Sequence, residues 1–228
     1  MADHRMDDEK RVWDLPTRLF HWILAAFVVV DLMTGSDRGL MFRIHTYLGY
    51  GILVLILFRL GWGFIGGEHA LFRDFVRPWS VVREYLKSFL RLKPPAYAGH
   101  NPAGGWVILL MLAALLAIVV TGMVAAVAEG ATVPFFTGLS RAVAQPIKNL
   151  HEFLGNAMMA LVAIHLLGVL VDWGLTRDNL IRAMIRGTKP SHVAKSNATD
   201  AGWTRAILLF SAALAFGIYL VLYTTFSR

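Results

Sequence analysis

The stretch from His151 to His165, HEFLGNAMMALVAIH, decides how this chain folds. It lies in an apolar segment from about Leu150 to Asp172, long enough to cross the ~30 Å hydrocarbon core of a membrane as one helix. Fourteen positions separate the two histidines. At about 1.5 Å rise and 3.6 residues per turn, they stand roughly 21 Å apart along the axis and within about 40° of one face. An ionisable side chain inside a membrane is costly, so each imidazole reads as part of a functional site with a partner elsewhere in the chain.

Composition sets the class. The chain has 228 residues, 57% of them hydrophobic, and a mean hydropathy of +0.56, which is too apolar for an ordinary soluble domain and of a length for one membrane bundle. Cysteine is absent, which excludes disulfides, cysteine-ligated iron–sulfur clusters and covalent haem attachment through CxxCH. The net charge of +7 reflects membrane topology and anionic lipid rather than nucleic acid, because apolar spans dominate the chain.

Residues 1–14 form a polar arm of mixed charge, without the pattern of a signal peptide, and His4 within it reads as solvated. Asp14 and Pro16 read as an N-cap and an early helical proline. They open a first span that carries Arg18 and His21 and runs to about Thr34. After the GSDRGLMFR link, a second span from about Ile44 to Ile65 places His45 at its start. PWSVVREYLKSFLR then reads as a basic amphipathic helix lying at the interface. A proline- and glycine-rich loop leads to a third span, about Trp106 to Ala128, which holds no histidine. The link TVPFFTGLSRAVAQPIKN joins it to the fourth span. TRDNLIRAMIRGTKP reads as a short surface helix with Thr176 as its candidate cap. A fifth span, about Ala206 to Phe226, closes the chain. The expected organisation is an arm (1–14), a core (15–190), and a linker with the fifth helix (191–228).

Most of the 22 Lys and Arg residues fall in the arm, the second-to-third link and the fourth-to-fifth link. The positive-inside rule therefore expects the N-terminus in the cytoplasm and the C-terminus outside. Spans two and four both start on the outer side, which brings His45 and His151 to one depth. His165, further in, approaches His21. Four intramembrane imidazoles thus resolve into two pairs, His45 with His151 and His21 with His165.

Structural histidines bridging helices, a proton or metal-ion path, zinc and haem are the alternatives for such pairs. A transport path would normally add intramembrane carboxylates, whereas Glu152 and Asp172 lie near helix ends. Zinc wants three or four ligands at one depth. Two b-type haems, each clamped between two neutral imidazoles, fit best, because a porphyrin needs an apolar slot, an axial ligand on each side and small residues beside it. Gly49 and Gly155 each follow a ligand of the outer pair by four residues, Gly168 follows His165 by three, and Ala25 follows His21 by four. With both axial positions filled, electron transfer is the expected chemistry. Arg18 for the inner haem, and Arg43 with Lys148 for the outer one, are the candidate partners of the propionates.

VWDLPTRLFHW, the HxxxG opening of span two, FRLGWGFIGG, GHNPAGGW, HEFLGN with a second His fourteen residues on, and DNLIRAMIRGTKP together resemble the prokaryotic cytochrome b561 family, which includes the cytochrome b subunit of nickel–iron hydrogenases. The similarity covers roughly residues 12–190. It implies an all-α integral membrane protein, a four-helix bundle binding two haems, with the four ligands on His21, His45, His151 and His165. The fifth helix lies outside what it explains. The resemblance implies exchange of electrons with the quinone pool in the bacterial inner membrane. The redox partner would be a periplasmic c-type cytochrome or a soluble dehydrogenase. Two other readings are an anchor and conduit for a hydrogenase or similar dehydrogenase, and a superoxide-oxidising quinone reductase. Glu152 is a candidate proton acceptor for quinol. His100 is expected at the inner interface, and His69 and His192 as solvated loop residues.

Overall fold

The computed structural model describes residues 9–35 and 39–226. The first eight residues, with His4, residues 36–38 of the first link, and the last two residues lie outside the described part. In chain order the elements are β1 (Glu9–Arg11), α1 (Leu15–Thr34), α2 (Leu40–Ile65), a 3₁₀ turn (Glu68–Ala70), α3 (Phe72–Phe75), α4 (Trp79–Leu90), α5 (Pro102–Ala128), α6 (Arg141–Thr176), α7 (Leu180–Arg186), β2 (Thr188–Pro190) and α8 (Trp203–Phe226). Five of them, α1, α2, α5, α6 and α8, are long and apolar enough to cross a membrane, as the hydropathy predicts.

The helices begin earlier than the apolar runs. The largest difference is α6, which starts at Arg141 inside the segment expected to be a link and carries Pro146 in its interior. Pro146 has no N–H to give to the carbonyl four residues back, yet the helix continues through it. Polar and proline residues there lower the hydropathy without stopping the backbone, which is why the apolar run marks the membrane segment and not the helix.

The chain divides into two compact units. The first comprises Met1–His21, Leu60–Leu110 and Ala163–Ala206. Within it β1 and β2 pair antiparallel, with Lys10 opposite Lys189. These three-residue strands are too short for an alternation signal and were not expected from sequence. Val12 and Trp13 pack with Ala183 and Ala194 beneath them. Asp14 caps α1 as predicted, its Oδ1 accepting from Thr17 N at 2.7 Å. Its Oδ2 accepts from Gly67 N at 3.1 Å and from the Trp62 indole at 3.2 Å. A side chain at Gly67 would collide with that carboxylate, which calls for glycine at this position.

GHNPAGGW and DNLIRAMIRGTKP build the same unit. Asn101 caps α5 through Gly104 N at 2.6 Å and donates to Asp172 Oδ1 at 3.1 Å. The Tyr85 hydroxyl donates to the same oxygen at 2.7 Å. Burial and this neighbouring carboxylate both push the Tyr85 phenol above its ordinary range. α4 has the amphipathic character expected of it: Val82 and Tyr85 are buried, and Trp79 and Leu90 are exposed. Thr176 does not cap α7. It ends α6, and Asn179 is the cap, accepting from Arg182 N at 2.8 Å. Asn and Thr both favour caps, and which one serves is set by where α6 stops. Gly187, at φ 86°, ends α7 in the left-handed region that glycine enters freely. Lys189 is buried, bonding Asp178 at 2.6 Å and the Tyr97 carbonyl at 2.8 Å.

The second unit comprises Trp22–Arg59, Met111–Val162 and Ile207–Arg228. Its core is the middle of α2, where Ile52 to Ile56 and Phe58 are all buried. The α8 helix packs on it: Gly217 lies against Val54, and Phe58 meets Phe210 edge to face at 6.1 Å. Gly51 admits the Phe27 ring, which a side chain there would strike.

Candidate functional site

Within the second unit, α2 and α6 bring His45 and His151 together with ring centroids 5.9 Å apart and planes at 76°. Each ring is held by its Nδ1. His151 Nδ1 lies 2.9 Å from the Ile118 carbonyl oxygen and 3.4 Å from Thr121 Oγ1, both on α5. His45 Nδ1 lies 3.2 Å from the Asp31 carbonyl oxygen and 3.1 Å from Asp31 Oδ1, both on α1. With Nδ1–H donating to a carbonyl, the Nε2 lone pair of each ring is the one available to a metal.

Small residues make room for these rings. A Cβ on Gly122 would stand 2.9 Å from His151 Cε1, and one on Gly35 would stand 3.4 Å from His45 Cε1. Gly49 and Gly155, singled out from sequence, behave differently, because a Cβ at either would meet nothing within 4 Å. Protein packing therefore does not account for these two glycines. Lys148 forms a salt bridge with Glu129 at 2.5 Å. Arg43 and Glu152 are exposed.

In the first unit, His21 on α1 and His165 on α6 are half-buried and within electrostatic range of each other. Gly168, one turn beyond His165, likewise has nothing within 4 Å of a Cβ position. Arg18 is turned to α7, its Nη1 donating to the Ile185 carbonyl at 2.5 Å. His100 lies between Trp13 and Phe75, at centroid distances of 4.6 and 4.9 Å. His69 is not a solvated loop residue. It sits in the 3₁₀ turn with Nδ1 2.9 Å from Asp74 Oδ2 and its ring edge-on to Trp13. An adjacent carboxylate gives an imidazole a partner that offsets its burial. His192 is exposed.

Sequence reasoning missed the residues that hold the rings. Asp31, in VVVDLMTG, is an ionisable residue inside an apolar span, and that signal was open to reading. Thr121 and Gly122 carried no comparable mark, and the Ile118 carbonyl is invisible to any side-chain pattern.

Residues 12–187 match the family model described as prokaryotic cytochrome b561. Among curated relatives, a probable Ni/Fe-hydrogenase B-type cytochrome subunit of Azotobacter vinelandii is 35% identical over 121 residues, covering 41% of this chain and 49% of that protein. The chain thus spans about half the length of that relative. Proteins of the same description from Rhizobium leguminosarum bv. viciae and Bradyrhizobium diazoefficiens are 26% and 24% identical. Those two matches each cover 78% of this chain, and 87% and 85% of the relative. With a family match across most of its length and five helices long and apolar enough to cross a membrane, the chain belongs to the prokaryotic cytochrome b561 family and has its all-α membrane architecture.

Proposed function

We propose that this protein carries two haems b, one held by His45 and His151 and the other by His21 and His165, and moves electrons between the quinone pool and a redox partner. The observation that carries the reading is the outer pair. His45 and His151 stand with ring centroids 5.9 Å apart, and they are the residues that would hold a haem iron between them. Both Nδ1 atoms are engaged elsewhere, the arrangement that orients a metal-binding histidine. Gly49, Gly155 and Gly168 leave backbone open to a flat ring.

A haem held by either pair of histidines would supply a one-electron couple. The protein's part is to hold the imidazoles fixed through their Nδ1 atoms. We assign the protein to the bacterial inner membrane with its N-terminus in the cytoplasm, on the distribution of Lys and Arg.

The names of the relatives favour one partner among those considered, the catalytic subunits of a nickel–iron hydrogenase. In that role the chain anchors the enzyme and conducts its electrons to quinone. A periplasmic c-type cytochrome is the alternative partner. Purification in mild detergent, with identification of what accompanies the chain, separates the two.

The haem assignment is tested on the purified protein by haem content and reduced-minus-oxidised spectra, with about two haems per chain expected. His45→Ala and His151→Ala should remove the same haem, and His21→Ala and His165→Ala the other. Loss of one common haem in all four variants, or retention of both in any of them, overturns the pairing.

A further inference from the structure

The two outer imidazoles are held by unlike acceptors. His151 leans on neutral groups, the Ile118 carbonyl and the Thr121 hydroxyl. His45 faces a carboxylate: Asp31 Oδ1 lies 3.1 Å from Nδ1, with the Asp31 carbonyl oxygen at 3.2 Å. The Asp31 side chain is 13% exposed, so water screens it little. Its backbone is fixed by Thr34 Oγ1, which donates to the Asp31 carbonyl at 3.1 Å. Gly35 closes the same turn against the His45 ring.

Asp31 has a cost inside an apolar span that helix formation does not offset. Among the described residues, its carboxylate lies against the His45 ring. We propose that Asp31 is a positioning residue that tunes the His45 and His151 haem: its carboxylate, 3.1 Å from His45 Nδ1, raises the electron density of the ring at Nε2 and so lowers the potential of that iron. This inference rests on His45 being an axial ligand. The step concerned is the gain of one electron by ferric iron, with no bond formed or broken. A negative charge 3.1 Å from the ligand ring opposes that gain, as carboxylates beside metal-bound imidazoles do generally.

The experiment uses the full-length protein with its haems in detergent, titrated optically at equilibrium with mediators and examined by low-temperature EPR. Asp31→Asn keeps the shape and an acceptor oxygen and removes the charge. The expected result is a rise of one midpoint only, with the ferrous-to-ferric ratio at fixed ambient potential increasing about tenfold, or about 59 mV for a one-electron couple. The EPR signal of that haem should shift while the other stays. Asp31→Glu, which restores the charge, should keep both haems and return the ratio to within about threefold of the wild type. Both midpoints unmoved in a two-haem Asp31→Asn protein would overturn the proposal. If Asp31→Asn sheds haem, Asp31→Glu decides: midpoints near the wild type uphold the role of the charge, and a tenfold rise there overturns it. His45→Ala is the separate control for the ligand assignment, since a variant that keeps both haems refutes that assignment rather than the tuning.

Discussion

His151 Nδ1 lies 2.9 Å from the backbone oxygen of Ile118, so a ring within α6 is aimed by a main-chain atom of α5. A carbonyl cannot be removed by changing the Ile118 side chain, which makes this hold resistant to substitution at that residue. The vulnerable point lies beside it, at Gly122, where a Cβ would stand 2.9 Å from His151 Cε1.

Gly122→Val should therefore displace His151 and weaken retention of one haem about 10- to 100-fold, the usual cost of disturbing the shell around a metal ligand. Haem-to-protein ratio after gel filtration checks this. The His21 and His165 haem should keep its spectrum, and equal loss of both would sink the explanation.

Lys189 and Asp178 form a buried pair outside the membrane helices, at 1% and 6% side-chain exposure. Such a pair adds little net stability, but removing one member strands the other charge. Lys189→Ala is expected to destabilise by about 3–5 kcal/mol, and the Lys189→Ala, Asp178→Ala double variant by less than the single one. Denaturation in mixed micelles measures both, and a double variant worse than the single would contradict the account.

Asp14 carries three jobs at once, capping α1 and accepting from Gly67 and Trp62. Asp14→Ala should cost about 2–4 kcal/mol, combining a lost cap with buried donors left unpaired. Asp14→Asn keeps acceptor oxygens and should cost less than half as much. Thermal midpoints of the two variants in one detergent decide it.

The Tyr85 phenol is held protonated beyond its ordinary range by burial and by Asp172. Above about pH 10 the unfolded chain releases this proton while the folded chain keeps it, so the unfolded state binds fewer protons and stability falls with rising pH. Below that range the contribution is fully present. Thermal midpoints from pH 8 to 11 should fall more steeply for the wild type than for Tyr85→Phe; parallel profiles would count against the cause given.

The amino-acid sequence by itself determined five membrane-crossing helices, the places of the four intramembrane histidines and the cap at Asp14, because hydropathy, helical period and capping chemistry act within a few residues of each other. It misplaced the start of α6 and chose Thr176 over Asn179, since a helix outruns its apolar run wherever nothing local stops it. Only the tertiary structure decided that His45 meets Asp31, that His151 meets the Ile118 carbonyl, and that His69 is bound to Asp74 rather than solvated. His45 and Asp31 are fourteen positions apart, and His151 and Ile118 thirty-three. Whether such atoms come within 3 Å depends on how separate helices pack, and a backbone oxygen leaves no trace in the identity of its residue.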